Sequence, residues 1–132
     1  MKLENVILTA LADHPLFGSP GENRKVNRRQ KIEAMLVDDP QDTFLRYSLA
    51  MELRSEGDHQ RSLSMLGDLI QESPPCIPAF FMAAQQLVDL DRIEEARDFL
   101  RRGIDQARSQ GDSHAAAEMS ELLSSLGEYG EL

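Results

Sequence analysis

With 132 residues, of which 41% are hydrophobic, the chain is long enough to form one domain with its own core. Aromatic residues make up only 5% and Trp is absent, so the core has to be built from aliphatic side chains and Met. The net charge of −9 is uneven, with +2 over residues 1–37 and −11 over residues 38–132, and this acidic body argues against binding to nucleic acid or to an anionic membrane.

Cysteine content and hydropathy narrow the class of protein further. A single cysteine, Cys76, excludes an intramolecular disulfide and any metal site built from several cysteines. A lone thiol suits a reducing compartment and the first residues lack a signal-peptide pattern, so we expect a cytoplasmic protein. No apolar run approaches the roughly 20 residues that a membrane-spanning helix needs.

The first part of the chain predicts two helices separated by a loop. Residues 3–13 carry apolar side chains at helical spacing, and Pro15 ends this helix because the residue before proline is pushed out of the helical region. The following stretch is rich in Gly and Pro and reads as a loop. Residues 23–37 form the second predicted helix, which stops before Pro40.

The rest of the chain predicts two helical hairpins and a final helix. The first hairpin pairs residues 44–55 with 59–71 and turns at Gly57, where glycine supplies the positive φ that follows a helix. The second pairs residues 78–90 with 93–109. A last helix over residues 114–125 is expected to end at Gly127, and no strand pattern occurs.

The two hairpins repeat each other at an offset of 34 residues, which pairs Tyr47 with Phe81 and Leu66 with Leu100. The pattern resembles the tetratricopeptide repeat, a helix–turn–helix unit of 34 residues with the form W-x2-L-G-x2-Y…A-x3-F…P. Matching positions of the first unit and the second are Leu49, Ala50, Leu53, Leu66 and Pro74, then Ala83, Ala84, Leu87, Ala96 and Leu100. Departures from the family pattern are Arg46, Ser62, Asp91 and Arg108. The segments 46–50 and 111–115 are similar to those of small bacterial tetratricopeptide repeat proteins.

The resemblance implies an all-α fold, a right-handed α-α superhelix of antiparallel helical hairpins with about six to seven helices. Small residues in the repeat would let helix backbones approach closely. The expected organisation is an N-terminal capping helix and loop over residues 1–22 and a repeat domain over residues 23–132. The latter divides into a half-unit (24–40), two repeats (43–76 and 77–110) and a C-terminal capping helix (113–129), because repeat stacks need covered ends.

The resemblance also implies a binding surface, since the first helix of each hairpin lines the concave face of such a stack. The predicted groove residues are Tyr47, Ser48, Met51, Arg54, Phe81, Met82, Gln85 and Val88, with Glu118 and Glu121 as an extension. Aromatic and Met side chains adapt to an extended or helical peptide. The alternative is that Tyr47, Phe81 and Met82 only pack between helices. The family's Asn slots hold Ser48 and Met82, so the clamp that binds a C-terminal carboxylate is not expected.

A basic cluster opens the second predicted helix, where cations are unfavourable against the helix dipole. It consists of Arg24, Lys25, Arg28, Arg29 and Lys31. Two interpretations stay open: binding of an anion or an acidic partner, and a solvated face or pairing within the chain.

No pattern in the sequence indicates catalysis, a cofactor or a metal. His14, His59 and His114 lie on separate segments without ligand spacing, and no phosphate-binding loop or nucleophile motif occurs. We therefore expect a non-catalytic protein-interaction module or scaffold that binds a protein or peptide. The alternative is a structural subunit that forms a homodimer through its groove or a terminal helix.

Overall fold

The structure is a computed structural model that describes residues 27–130, so the predicted helix 3–13, the loop after it, His14, Arg24 and Lys25 lie outside the described residues. The chain divides at Asp58 into two compact units. The first contains α1 (Arg28–Asp38) and α2 (Thr43–Ser55). The second contains α3 (His59–Ile70), α4 (Ile77–Asp89), α5 (Ile93–Ser109) and α6 (Ser113–Gly130). The described residues contain helices and no strand, which confirms the predicted all-α helical-repeat class.

Hydrogen-bonded caps define where the two helices of the first unit begin. The Asn27 side chain accepts from the Gln30 N–H at 2.8 Å, and the Gln30 side chain accepts from the Asn27 N–H at 3.1 Å. This reciprocal capping box makes Arg28 the first residue of α1, so the predicted start at residue 23 was wrong. Asp42 caps α2 by accepting from the Leu45 N–H at 2.8 Å.

In the second unit each helix packs against the next along the chain, and α4 also contacts α6. Small buried side chains at Ala83, Ala84 and Ala96 line these contacts and reduce the distance between helices. The helices also come very close at Gly103 on α5, where an added Cβ would lie 2.6 Å from Met119 Sδ and 2.7 Å from Phe80 Cβ. A side chain larger than glycine therefore does not fit there.

A polar network lies inside the second unit. The Gln86 side-chain N–H donates to Ser62 Oγ at 2.8 Å, and both side chains are completely buried. On its other side, Gln86 Oε1 lies 2.9 Å from His59 Nδ1, which in this arrangement carries the proton. Ser62, which departs from the Ala of the family pattern, thus provides the acceptor that a buried amide at position 86 requires.

The turns after α2 and α4 share a left-handed residue 34 positions apart. Gly57 has φ 83° and Asp91 has φ 60°, so Asp91 takes a conformation that favours glycine. The end of α6 differs from the prediction. Gly127 lies inside this helix and does not end it, because buried Leu126 and a hydrogen bond from Arg97 Nη2 to the Leu126 carbonyl oxygen at 2.8 Å hold its last turns against α5.

Candidate functional site

A groove of about 230 Å³ lies between α4 and α6 in the second unit. It is lined by Ile77, Pro78, Phe81, Asp112, His114, Ala115, Glu118 and Met119. Its floor is apolar, with half-buried Phe81 between the buried side chains of Ile77 and Met119. Polar side chains stand only on the α6 side.

Helical spacing brings the lining residues together. On α4, Ile77 and Phe81 are four positions apart and so lie on one face of the helix. On α6, Asp112 accepts from the Ala115 N–H at 3.1 Å and so begins the helix. Ala115 and Met119 then follow at the same spacing of four. The small side chain of Ala115 leaves the space beside Phe81 open.

The charges around the groove are almost all negative. Neither α4 nor α6 contains Lys or Arg, whereas they contain four acidic residues between them. Glu118 Oε1 lies 3.0 Å from His114 Nε2, an ion pair only when the histidine is protonated. Asp112 and Glu121 are exposed, and Glu121 is placed one turn beyond the lining residues. The groove therefore combines an apolar floor with an acidic rim.

The predicted groove residues of α4 divide into two groups. Phe81 lines the groove, together with Glu118 of the predicted extension on α6. Met82 is buried among the core side chains, and Gln85 and Val88 are half-buried without lining the groove. The structure thus brings two predicted residues into one site.

The predicted groove residues of α2 belong to the first unit. Met51 is exposed, Tyr47 and Arg54 are half-buried, and Ser48 is buried. Their contribution to a partner-binding surface stays a prediction. Of these four, only Met51 is an exposed large apolar side chain.

Two arginines of the predicted basic cluster form ion pairs inside the first unit. Arg28 Nε lies 2.8 Å from Glu52 Oε1, and Arg29 pairs with Glu56 at 2.9 Å and with Glu33 at 2.7 Å. The hydrogen bond that Arg29 donates to the Glu56 carboxylate is the main cause of the raised pKa of Arg29. These pairs favour the interpretation of pairing within the chain for Arg28 and Arg29, which connect α1 to the end of α2, and anion binding by the cluster stays a prediction.

A second depression lies between α3 and α5 and has a volume of about 510 Å³. Leu63 and Phe99 contribute apolar surface, but the acidic residues at its rim are paired with arginines. Glu95 accepts from Arg92, and this hydrogen bond lowers the pKa of the Glu95 carboxyl and raises the pKa of the Arg92 guanidinium. Because its acidic side chains pair with arginines of α5 and with Arg92, the residue that precedes α5, this depression presents less unbalanced charge than the groove.

The remaining candidate residues, His59 and Cys76, do not line the groove. His59 contacts Gln86, and Cys76 precedes the first residue of α4 with its side chain half-buried. Within residues 27–130, no three His, Cys, Asp or Glu side chains come close enough to hold a metal ion together. None of the helices in this part of the chain combines the length and the hydropathy needed to cross a membrane.

Sequence reasoning missed most of the groove, including Ile77, His114 and Met119. A signal was present, because extending the 34-residue offset from Phe81 leads to Ala115 on the last helix. A small residue in place of an aromatic one indicates free space beside Phe81. To use this signal, one must know that α4 and α6 contact each other, and the sequence pattern alone does not predict that contact.

Comparison with known proteins gave a match to one family model. A family model described as Tetratricopeptide repeat matches residues 53–122, more than half of the chain. The matched region extends from the end of α2 into α6 and includes the groove residues Phe81 and Glu118. Comparisons with curated proteins and with solved structures gave no match.

Proposed function

The chain belongs to the tetratricopeptide repeat family, and on that premise we propose that it is a non-catalytic interaction module that binds a segment of a partner protein in the groove between α4 and α6. Repeats of this family generally mediate contacts between proteins. The observation that carries the proposal is the open groove with Phe81 and Met119 at its floor.

The size of the groove fits a side-chain anchor better than a cofactor. Its volume of about 230 Å³ is below the roughly 300–1,000 Å³ of sites for small molecules. One or two apolar side chains of a peptide would fill it. Fully burying one such side chain contributes about 1.5–3 kcal/mol, so a single segment bound here has modest affinity.

Two variants of α6 test the groove without removing core contacts. Ala115→Arg places a long side chain in the groove, whereas Ala117→Arg adds the same charge at an exposed position of the same helix that does not line it. Peptides selected from a random library on the intact chain should bind the Ala117 variant and lose at least tenfold in affinity for the Ala115 variant. Equal binding to both folded variants would refute the proposal, and so would a failure to select any peptide.

The predicted contacts of α2 have a separate test. If Tyr47 and Met51 contribute to the partner surface, then Tyr47→Ala and Met51→Ala should each weaken binding of the selected peptides while circular dichroism stays unchanged. Unchanged affinity in both would restrict the site to the second unit.

Self-association is the second candidate function, and exposed apolar side chains of the first unit favour it. Val37 is 72% exposed and Phe44 is 65% exposed, so both could be buried against a second copy of the chain. Light scattering across a range of concentrations tests this candidate. A dimer that Phe44→Ser dissociates would support it, and a monomer at every concentration would exclude it.

A further inference from the structure

We infer that the segment bound in the groove is basic and carries one apolar anchor residue. This inference rests on the proposed function, because it specifies the chemistry of the partner for the same groove. It follows from the distribution of charge over the helices of the second unit.

The helices that form the groove differ in charge from the helix packed behind them. The sequence of α5 contains four arginines and four acidic residues, so that helix is neutral overall. In contrast, α4 and α6 contain acidic residues only, apart from His114. Lysine and arginine side chains are thus absent from both walls of the groove.

The acidic groups at the rim are accessible to a ligand. The Glu118 side chain is 48% exposed, and its partner His114 is 88% exposed, so either can turn toward a bound segment. Asp112 is exposed and uses one carboxylate oxygen in its helix cap. Glu121 adds a further exposed carboxylate on the same helix. An approaching lysine or arginine would meet these groups without competition from a lysine or arginine of the groove walls.

The charge of the rim then determines which sign of charge is favoured in the partner. An exposed pair of opposite charges contributes little to affinity, whereas a surface of one sign steers and discriminates between ligands of opposite and like charge. The apolar floor requires an apolar side chain for affinity, and the rim favours positive charge next to it. An acidic tail, as bound by the carboxylate clamp of some tetratricopeptide domains, would be repelled here.

The composition of selected peptides is the first test. Peptides from a random library that bind the wild type and fail to bind Ala115→Arg should carry a net positive charge and a Leu, Met or aromatic residue. If such groove-dependent peptides are neutral or acidic, the inference is wrong and the proposed function stands. If no groove-dependent peptide emerges, the proposed function fails and the inference fails with it.

Removal of the rim charges is the second test. In Glu118→Gln/Glu121→Gln we expect the Kd of a selected peptide to rise by about 2- to 5-fold for each carboxylate removed. The matched control, Asp68→Asn/Asp105→Asn, removes two exposed acidic side chains of α3 and α5 away from the groove. It should leave the Kd within about twofold of the wild-type value.

The dependence of the Kd on ionic strength tests the same contacts independently. Raising ionic strength from about 0.05 M to 0.5 M should weaken peptide binding to the wild type, since screening shortens the reach of exposed charges. The rim double variant should lose most of this salt dependence. A Kd that responds equally to salt in the rim and control variants would overturn the inference.

Discussion

The buried amide of Gln86 allows a sharp test of how the repeat tolerates a departure from its family pattern. Gln86→Met keeps an unbranched side chain of similar length but removes both polar atoms. Ser62→Ala restores the residue that the family pattern has at that position. The double variant removes both partners of the hydrogen bond at once.

The expected size of the effect follows from burial at both ends of that bond. Gln86 and Ser62 are completely buried, so Gln86→Met takes a donor away from a hydroxyl that water cannot reach. Each single variant should lower the free energy of unfolding by about 1–3 kcal/mol. His59 is half-buried and regains hydrogen bonds from water, so its lost contact adds little.

The double variant should be far less destabilised than the sum of the two single variants. Replacing both partners of a buried hydrogen bond by apolar groups of similar shape is nearly neutral. We therefore expect a coupling energy of about 1–2 kcal/mol between the two sites. The better helix propensity of Ala favours the double variant by a further amount of up to about 0.5 kcal/mol.

Urea unfolding of the intact chain, followed by circular dichroism at the helical band, measures all four free energies. Each variant should show a helical spectrum like that of the wild type before unfolding. If the two substitutions are additive within about 0.5 kcal/mol, the hydrogen bond does not couple these helices and the explanation offered for Ser62 is refuted.

Four further substitutions should change the free energy of unfolding, two of them downward and two upward, and the same unfolding assay measures each. Gly103→Ala should destabilise the protein by about 1–3 kcal/mol through overpacking. Gly67→Ala should stabilise it by up to about 1 kcal/mol, because nothing lies within 4 Å of the added Cβ. Equal effects of the two substitutions would contradict the packing argument. Arg97→Met should cost about 1.5–3 kcal/mol, because a buried guanidinium that binds a carbonyl is removed; a neutral result would show that the bond is not needed. Asp91→Gly should add about 0.5–1 kcal/mol by relieving a left-handed backbone, and a loss of stability would contradict this.

The central helices were predictable from local pattern. Apolar periodicity, the turn at Gly57 and the proline near the start of α4 placed the four central helices within a residue or two of their observed bounds. The two ends of the described region were predicted less well. The start of α1 depends on a side-chain bond between Asn27 and Gln30, and the extension of α6 depends on contacts with α5, so neither follows from hydrophobic spacing alone.

The candidate site was predictable in part for the same reason. Phe81 and Glu118 could be proposed because the family pattern states which helices face a ligand. Met82, one residue from Phe81, was also proposed and is buried, since neighbouring positions on a helix point in directions about 100° apart. Helix geometry shows which of two such neighbours is buried only when the contacts of the helix are known.

The sequence by itself determined the helical class, the 34-residue repeat and the acidic balance of the body, because periodicity, small residues and charge are properties of the chain. Tertiary structure alone decided which gaps between helices are filled and which stay open. The space beside Gly103 is filled by Met119 and Phe80, whereas Ala115 leaves space beside Phe81, although both are small residues on helices. The difference lies in how far apart the neighbouring backbones are, and that distance is set by side chains on all the helices that pack together.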